Sequence, residues 1–172
     1  GEEMTIDLSG SARMGVGPIN CGEAQTIAAC RVGYKEVINP DSQVSGGTFR
    51  NLNVIVEKGS FLAAEEPAPC GWYFTGLGLL IDLIIKALAP VIPKQAAAAH
   101  YGDSNVILFS GYDSIREKQF AICEATAGGW GAYDGDDGQN GMINVVNGDL
   151  KNWGIEFIES KYPLRILSYK VR

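Results

Sequence analysis

The chain has 172 residues, 46% of them hydrophobic, 20% charged and 9% aromatic, with a net charge of −6. Those values describe a folded domain with a real core and exclude an intrinsically disordered chain. The acidic balance, with no cluster of Lys and Arg, excludes a phosphate-backbone-binding face, so no nucleic-acid partner is expected.

The chain reads as one domain, residues 1–172. Residues 4–10 alternate Met4, Ile6 and Leu8 with Thr5, Asp7 and Ser9, the pattern of a half-buried strand. After a glycine-containing loop, residues 20–37 turn helical, with Ala24, Ile27, Cys30 and Tyr34 on one face and Gly33 as a weak point. Asn20 stands where the helix begins and Glu23 follows three residues later, which is the spacing of a capping box. Cys21 at the same helix start is a candidate reactive thiol, because the helix dipole favours a thiolate there. Pro40 ends the helix.

Residues 51–62 read as a second strand and 58–60 as a turn. The run "TGLGLLIDLIIKALAPVIP" (75–93) predicts a long second helix, apolar round so much of its circumference that it belongs in the core. Asp82, Lys86 and Pro90 make the apolar run 77–92 too short and too polar to cross a bilayer, and no signal peptide opens the chain, so a cytoplasmic location is expected. Residues 105–113 and 118–128 read as paired strands, 142–148 as a short strand, and 154–172 as one or two more. The order predicts an α+β fold, a mainly antiparallel sheet with two principal helices packed on one face.

Cys21, Cys30, Cys70 and Cys123 form no CxxC pair, which argues against a zinc ribbon; in their apolar surroundings they read as free buried thiols. His100 is the sole histidine, and with no G-x-S-x-G turn to host a serine nucleophile it reads as a structural or surface residue. A metal site drawn from this chain alone is not expected.

The stretch "EATAGGWGAYDGDDGQNG" (124–141) is rich in glycine and acid. It is no phosphate loop: GxxxxGK[ST] and GxGxxG are absent and no helix follows. "DGDDG" lacks the position-12 Glu of a calcium loop. A solvated loop with glycines at positive φ explains it, and so does a functional loop whose backbone approaches something closely. Glu124 ends the preceding strand, where a carboxylate is held rigidly.

Four stretches in order, "TIDLSGSARMGVGPIN", "GGTFRNLNVIVEKGSFL", "EATAGGWGAYDGDDG" and "IEFIESKYPLRILSYKVR", together resemble the hydantoinase B/oxoprolinase family over essentially the whole chain. That family comprises the B-type subunits of N-methylhydantoinases, 5-oxoprolinases and caprolactamase, with related subunits of acetone and acetophenone carboxylases. The resemblance implies a central-to-C-terminal segment of a longer subunit, inactive alone. It implies no cofactor in this segment, ATP on an A-type partner subunit, and a divalent metal in His/Asp-rich stretches upstream of the matched region. The expected partners are that A-type subunit and the rest of the B-type subunit, in an oligomer. "INCGEAQ", "HYGD" and "VNGDLKN" look closer to the carboxylase-like branch, and Asp149, Trp153 and Gly154 stand where amide-hydrolysing members tend to carry Asn and Thr-Pro. Within this resemblance, Glu124 is expected as a polar anchor or general base, and Asn20 as a group that orients a carbonyl or caps the helix. The backbone of Gly128, Gly129, Trp130 and Gly131 is expected at a substrate or subunit interface.

Overall fold

A computed structural model describes residues 3–148 and 150–170; Asp149 lies outside the described residues. The chain opens with β1 (Met4–Asp7), α1 (Glu23–Ile38) and β2 (Leu52–Ile55). β1 and β2 pair in parallel, Met4 opposite Leu52 and Asp7 opposite Ile55, as a strand–helix–strand crossover allows. α2 (Tyr73–Leu88) follows, then the antiparallel hairpin of β3 (Val106–Asp113) and β4 (Lys118–Ala125). β5 (Gly128–Trp130) and β6 (Gln139–Met142) form a second, smaller hairpin, and α3 (Ile155–Lys161) comes last.

The α+β class holds. Among the described residues the strands fall into three separate two-stranded sheets, two antiparallel and one parallel, rather than joining edge to edge. The core lies where α1 crosses α2, with the β1–β2 pair beside it. Ala29, Cys30 and Val37 of α1 meet Leu80, Ile81, Ile84 and Ile85 of α2, and Ile6 closes the cluster. Burying a side chain of this size contributes about 1.5–3 kcal/mol. Gly33 is the contact point between the helices. A methyl there would sit 3.3 Å from the Ile84 side chain, so the residue that weakens helix propensity is what lets the two backbones approach. α2 is not buried all round: Leu79 and Leu83, four residues apart, are exposed on the face turned away from α1.

Three local expectations change. The N-cap of α1 is Gly22, not Asn20, and the reciprocal partner is Gln25, whose Oε1 accepts the Gly22 N–H at 3.0 Å. Glu23 instead lies in the first turn, where its charge suits the helix dipole. The strand expected at 142–148 lies instead at Gln139–Met142, inside the glycine-rich stretch, and residues 143–148 are loop and turn. Residues 155–161 are helical rather than extended. Gly154 caps the helix, Ile158 is its buried residue, and Arg116 Nη2 donates to Ser160 O at 2.7 Å, tying α3 to the β3–β4 turn.

Candidate functional site

The glycine-rich stretch folds back on itself as the β5–β6 hairpin, and its glycines are set by contacts within the chain. A methyl at Gly128 would run into the Tyr101 ring, and one at Gly131 into the Ala98 carbonyl. A methyl at Gly138 would lie 2.5 Å from Trp130 O. Tyr101 N–H donates to Gly129 O at 3.0 Å and Ala98 N–H to Ala132 O at 2.8 Å, so the non-strand segment 98–101 runs along the hairpin. Trp130 Nε1 donates to Ile143 O at 2.7 Å and fixes the far side. The close approach that the glycines permit is therefore an approach to the chain itself.

This hairpin contributes to two clefts. Glu124, Gly128, Asn140 and Lys170 line one of about 800 Å³. Glu124 is half-buried at the end of β4, opposite Ile107, and its Oε1 accepts the Trp153 N–H at 3.2 Å. One carboxylate oxygen is thus held by backbone and the other keeps its acceptor capacity. Trp130 and Gly131 line the second cleft, of about 470 Å³, with Glu36 of α1 and Asp82 of α2. Gly129 packs against Gln139 O at the base of the hairpin.

Asn20 and Cys21 line neither cleft. Asn20 is fully buried and its amide is spent inside the chain. Its Oδ1 accepts the Gly15 N–H at 2.8 Å, and Nδ2 donates to Gly15 O at 3.0 Å, Gly17 O at 3.3 Å and Pro69 O at 2.9 Å. It pins two loops together. Cys21 is sealed at the helix start, and burial, with the neighbouring Cys70 adding to it, pushes its thiol up to about 11. Desolvation is the dominant cause, so the thiol is raised where the helix start alone would lower it. All four cysteines are free thiols; Cys21 and Cys30 are buried as expected, whereas Cys70 and Cys123 are exposed.

His100 is not on the surface. Its side chain is 5% exposed, its ring Nδ1 lies 2.7 Å from Asp82 Oδ2, and its backbone N–H reaches Asp82 Oδ1 at 3.5 Å. The imidazole packs against the open backbone of Gly78, with the Asn144 amide beside it; His100 Nε2 and Asn144 Nδ2 have no hydrogen-bond partner among the described residues. Asp103, the acid of "HYGD", turns elsewhere and accepts from Ser104 N–H and Thr75 Oγ1. Glu36 faces the same cleft as Asp82, and its carboxyl is raised above its ordinary value of 4.5, first by burial and then by repulsion from Asp82. Sequence reasoning missed Glu36 and Asp82. The available signal was Asp82 itself, an acid inside an apolar helix, which needs a partner when buried.

Among the described residues no three His, Cys, Asp or Glu side chains converge to hold a metal ion. The glycine hairpin closes on Tyr101 and Ala98, and its loop 131–138 joins β5 to β6 rather than to a helix N-terminus, so these residues do not fit the phosphates of ATP. No helix among the described residues is long and apolar enough to cross a membrane.

A family model described as hydantoinase B/oxoprolinase matches residues 1–172. The chain is 31% identical over 179 residues to a protein of Pseudomonas sp. strain NS671 provisionally named as the B-type subunit of a D-/L-hydantoinase, covering 100% of this chain and 30% of that protein. It is 32% identical over 172 residues to an uncharacterized protein of Methanocaldococcus jannaschii, covering 99% of this chain and 29% of the other. The chain therefore spans about three tenths of the length of these relatives. In structure it is similar to the ATP-dependent caprolactamase of Pseudomonas jessenii, with a TM-score of 0.85 at 22% identity, over 98% of this chain and 30% of that one. It is also similar to acetone carboxylase in its nucleotide-free state, with a TM-score of 0.80 at 16% identity, over 94% and 22% of the two chains. At those identities the likeness is one of fold.

Proposed function

The chain belongs to the hydantoinase B/oxoprolinase family, and from that premise we propose that it is a segment of the B-type subunit of an ATP-dependent amidohydrolase that opens a cyclic amide, or of a related carboxylase. The observation that carries the amidohydrolase reading is the family match over residues 1–172, supported by the hydantoinase relative and the caprolactamase fold.

Within that reading Glu124 does the chemistry this segment supplies. The Trp153 N–H fixes one carboxylate oxygen, and the other serves the cleft as an anchor for a substrate N–H or as the base that takes a proton from attacking water. Gly128 and Asn140 shape the same wall, and Lys170 brings a positive charge to it. Asn20 acts at a distance by pinning the loops at Gly15 and Pro69. In this reading ATP sits on the A-type partner subunit and the divalent metal in the upstream part of the B-type subunit; the ATP-dependence of the structurally similar caprolactamase supports the nucleotide. Alone, the segment is catalytically inactive.

Glu124→Gln in the complete enzyme tests the assignment. As a general base, Glu124 loses turnover by about 10²–10⁴-fold on substitution. Unchanged turnover removes it from the mechanism.

The alternative is a non-catalytic module that packs on other parts of a larger assembly. It is favoured by the outer face of the β3–β4 hairpin, where Leu108 and Tyr112 are exposed. Self-association of the isolated chain in light scattering supports it, and a clean monomer counts against it.

A further inference from the structure

The second cleft has a composition that selects a ligand. α1 brings Glu36 to its wall and α2 brings Asp82, and among its lining residues there is no Lys or Arg to balance them. Glu36 has no hydrogen-bond or ion-pair partner among the described residues, although it is half-buried. Asp82 is held by His100 at 2.7 Å through Oδ2, while Oδ1 has only the long contact with the His100 N–H. His100 itself is 5% exposed through its side chain and keeps Nε2 without a partner. The rest of the wall is mostly apolar or aromatic, Ile81, Trp130 and Tyr133 among them, with the neutral Gln139 as its other polar side chain.

We propose that this cleft, between α1, α2 and the β5–β6 hairpin, binds a small organic cation, a protonated primary amine on an apolar body, with its ammonium between Glu36 and Asp82. The physical reasons are additive. Two carboxylates at one cleft repel each other and are costly to keep ionised without a counter-charge. An ammonium offers N–H donors to acceptors that are otherwise unfilled. Trp130 and Tyr133, both at the cleft, supply aromatic rings that attract a cation through their π-electrons and pack its hydrocarbon part. Burial and then Asp82 hold the Glu36 carboxyl above its ordinary range, and His100, which is paired with Asp82, only partly offsets them. A volume of about 470 Å³ accommodates a ring or short chain. The site is separate from the Glu124 cleft and does not rest on the reaction proposed there.

Isothermal titration of the 172-residue chain with cyclohexylammonium, cyclohexanol and cyclohexanecarboxylate tests this. The expected result is saturable binding of the ammonium at one site, about tenfold tighter than the alcohol, and none of the carboxylate. Glu36→Gln lowers the ammonium affinity about tenfold. Glu23→Gln, which removes the same charge from the exposed first turn of α1, leaves the affinity unchanged. In the unsubstituted chain the affinity falls as the pH is lowered through the range in which Glu36 gains its proton, so the proposal stands or falls even if Glu36→Gln does not fold. It is overturned if the alcohol binds as tightly as the ammonium, if the two glutamate substitutions act alike, if acid pH leaves the affinity unchanged, or if no probe saturates.

Discussion

Cys21 and Glu36 are each governed by burial, with opposite consequences. The Cys21 thiol, pushed up to about 11 and, among the described residues, bonded only to Tyr73 O at 3.6 Å, is protonated and out of reach at neutral pH. Thiol alkylation near neutral pH will therefore label Cys70 and Cys123 in the folded chain and spare Cys21 and Cys30 until denaturant is added. Mass spectrometry of the labelled peptides checks this, and rapid labelling of Cys21 in the folded state contradicts it. For Glu36 the carboxyl is raised in the folded state, so its ionised form opposes folding. That penalty is absent below about pH 4.5, where the group is protonated in both states. It accrues as the pH rises from 4.5 through the folded value. Glu36→Gln is accordingly expected to stabilise the chain at neutral pH and to lose that advantage in acid, as read from urea midpoints at the two pH values. A destabilising effect at neutral pH contradicts the assignment.

At the scale of elements, the glycine hairpin is held by backbone fit rather than by side chains. Gly131→Ala drives a methyl into the Ala98 carbonyl, and displacing that contact is expected to cost about 1–3 kcal/mol. The Trp130 Nε1 bond to Ile143 O reports on the hairpin directly, so the indole N–H signal in NMR should move with the loss of stability. An unmoved signal with full stability rules out the close approach. How far the elements could be read in advance depended on length and partner. α2 announced itself because sixteen residues carry an unbroken helical pattern. The β3–β4 hairpin did so because β3 carries Val106, Ile107, Phe109 and Tyr112 and β4 carries Phe120 and Ile122, two eight-residue segments joined by a short turn. α3 did not, since in seven residues Ile155 and Phe157 fit alternation as well as Ile155 and Ile158 fit a helix. Its helical state is settled by Ile158 packing inward and by the Arg116 bond to Ser160 O, which no local pattern contains. Parallel pairing of β1 with β2 was equally hidden, because it joins segments 48 residues apart at Met4 and Leu52.

At the scale of the whole molecule, the site residues divide by what sequence can carry. Glu124 and the glycines are neighbours in the chain, so their association was legible. The Asp82–His100 pair, with Glu36 from another helix, is assembled by the α1–α2 crossing and is visible only in three dimensions. The chain spans 29–30% of its relatives' length, and the proposed reaction needs parts that lie outside it. The most direct test is turnover of a cyclic amide, such as a hydantoin or lactam, by the complete B-type subunit with its A-type partner, with and without ATP, beside the 172-residue chain alone. The account predicts ring-opened product and ADP appearing together only when both subunits and ATP are present, and neither from the chain alone. Ring opening without ATP, or by the isolated chain, would contradict it.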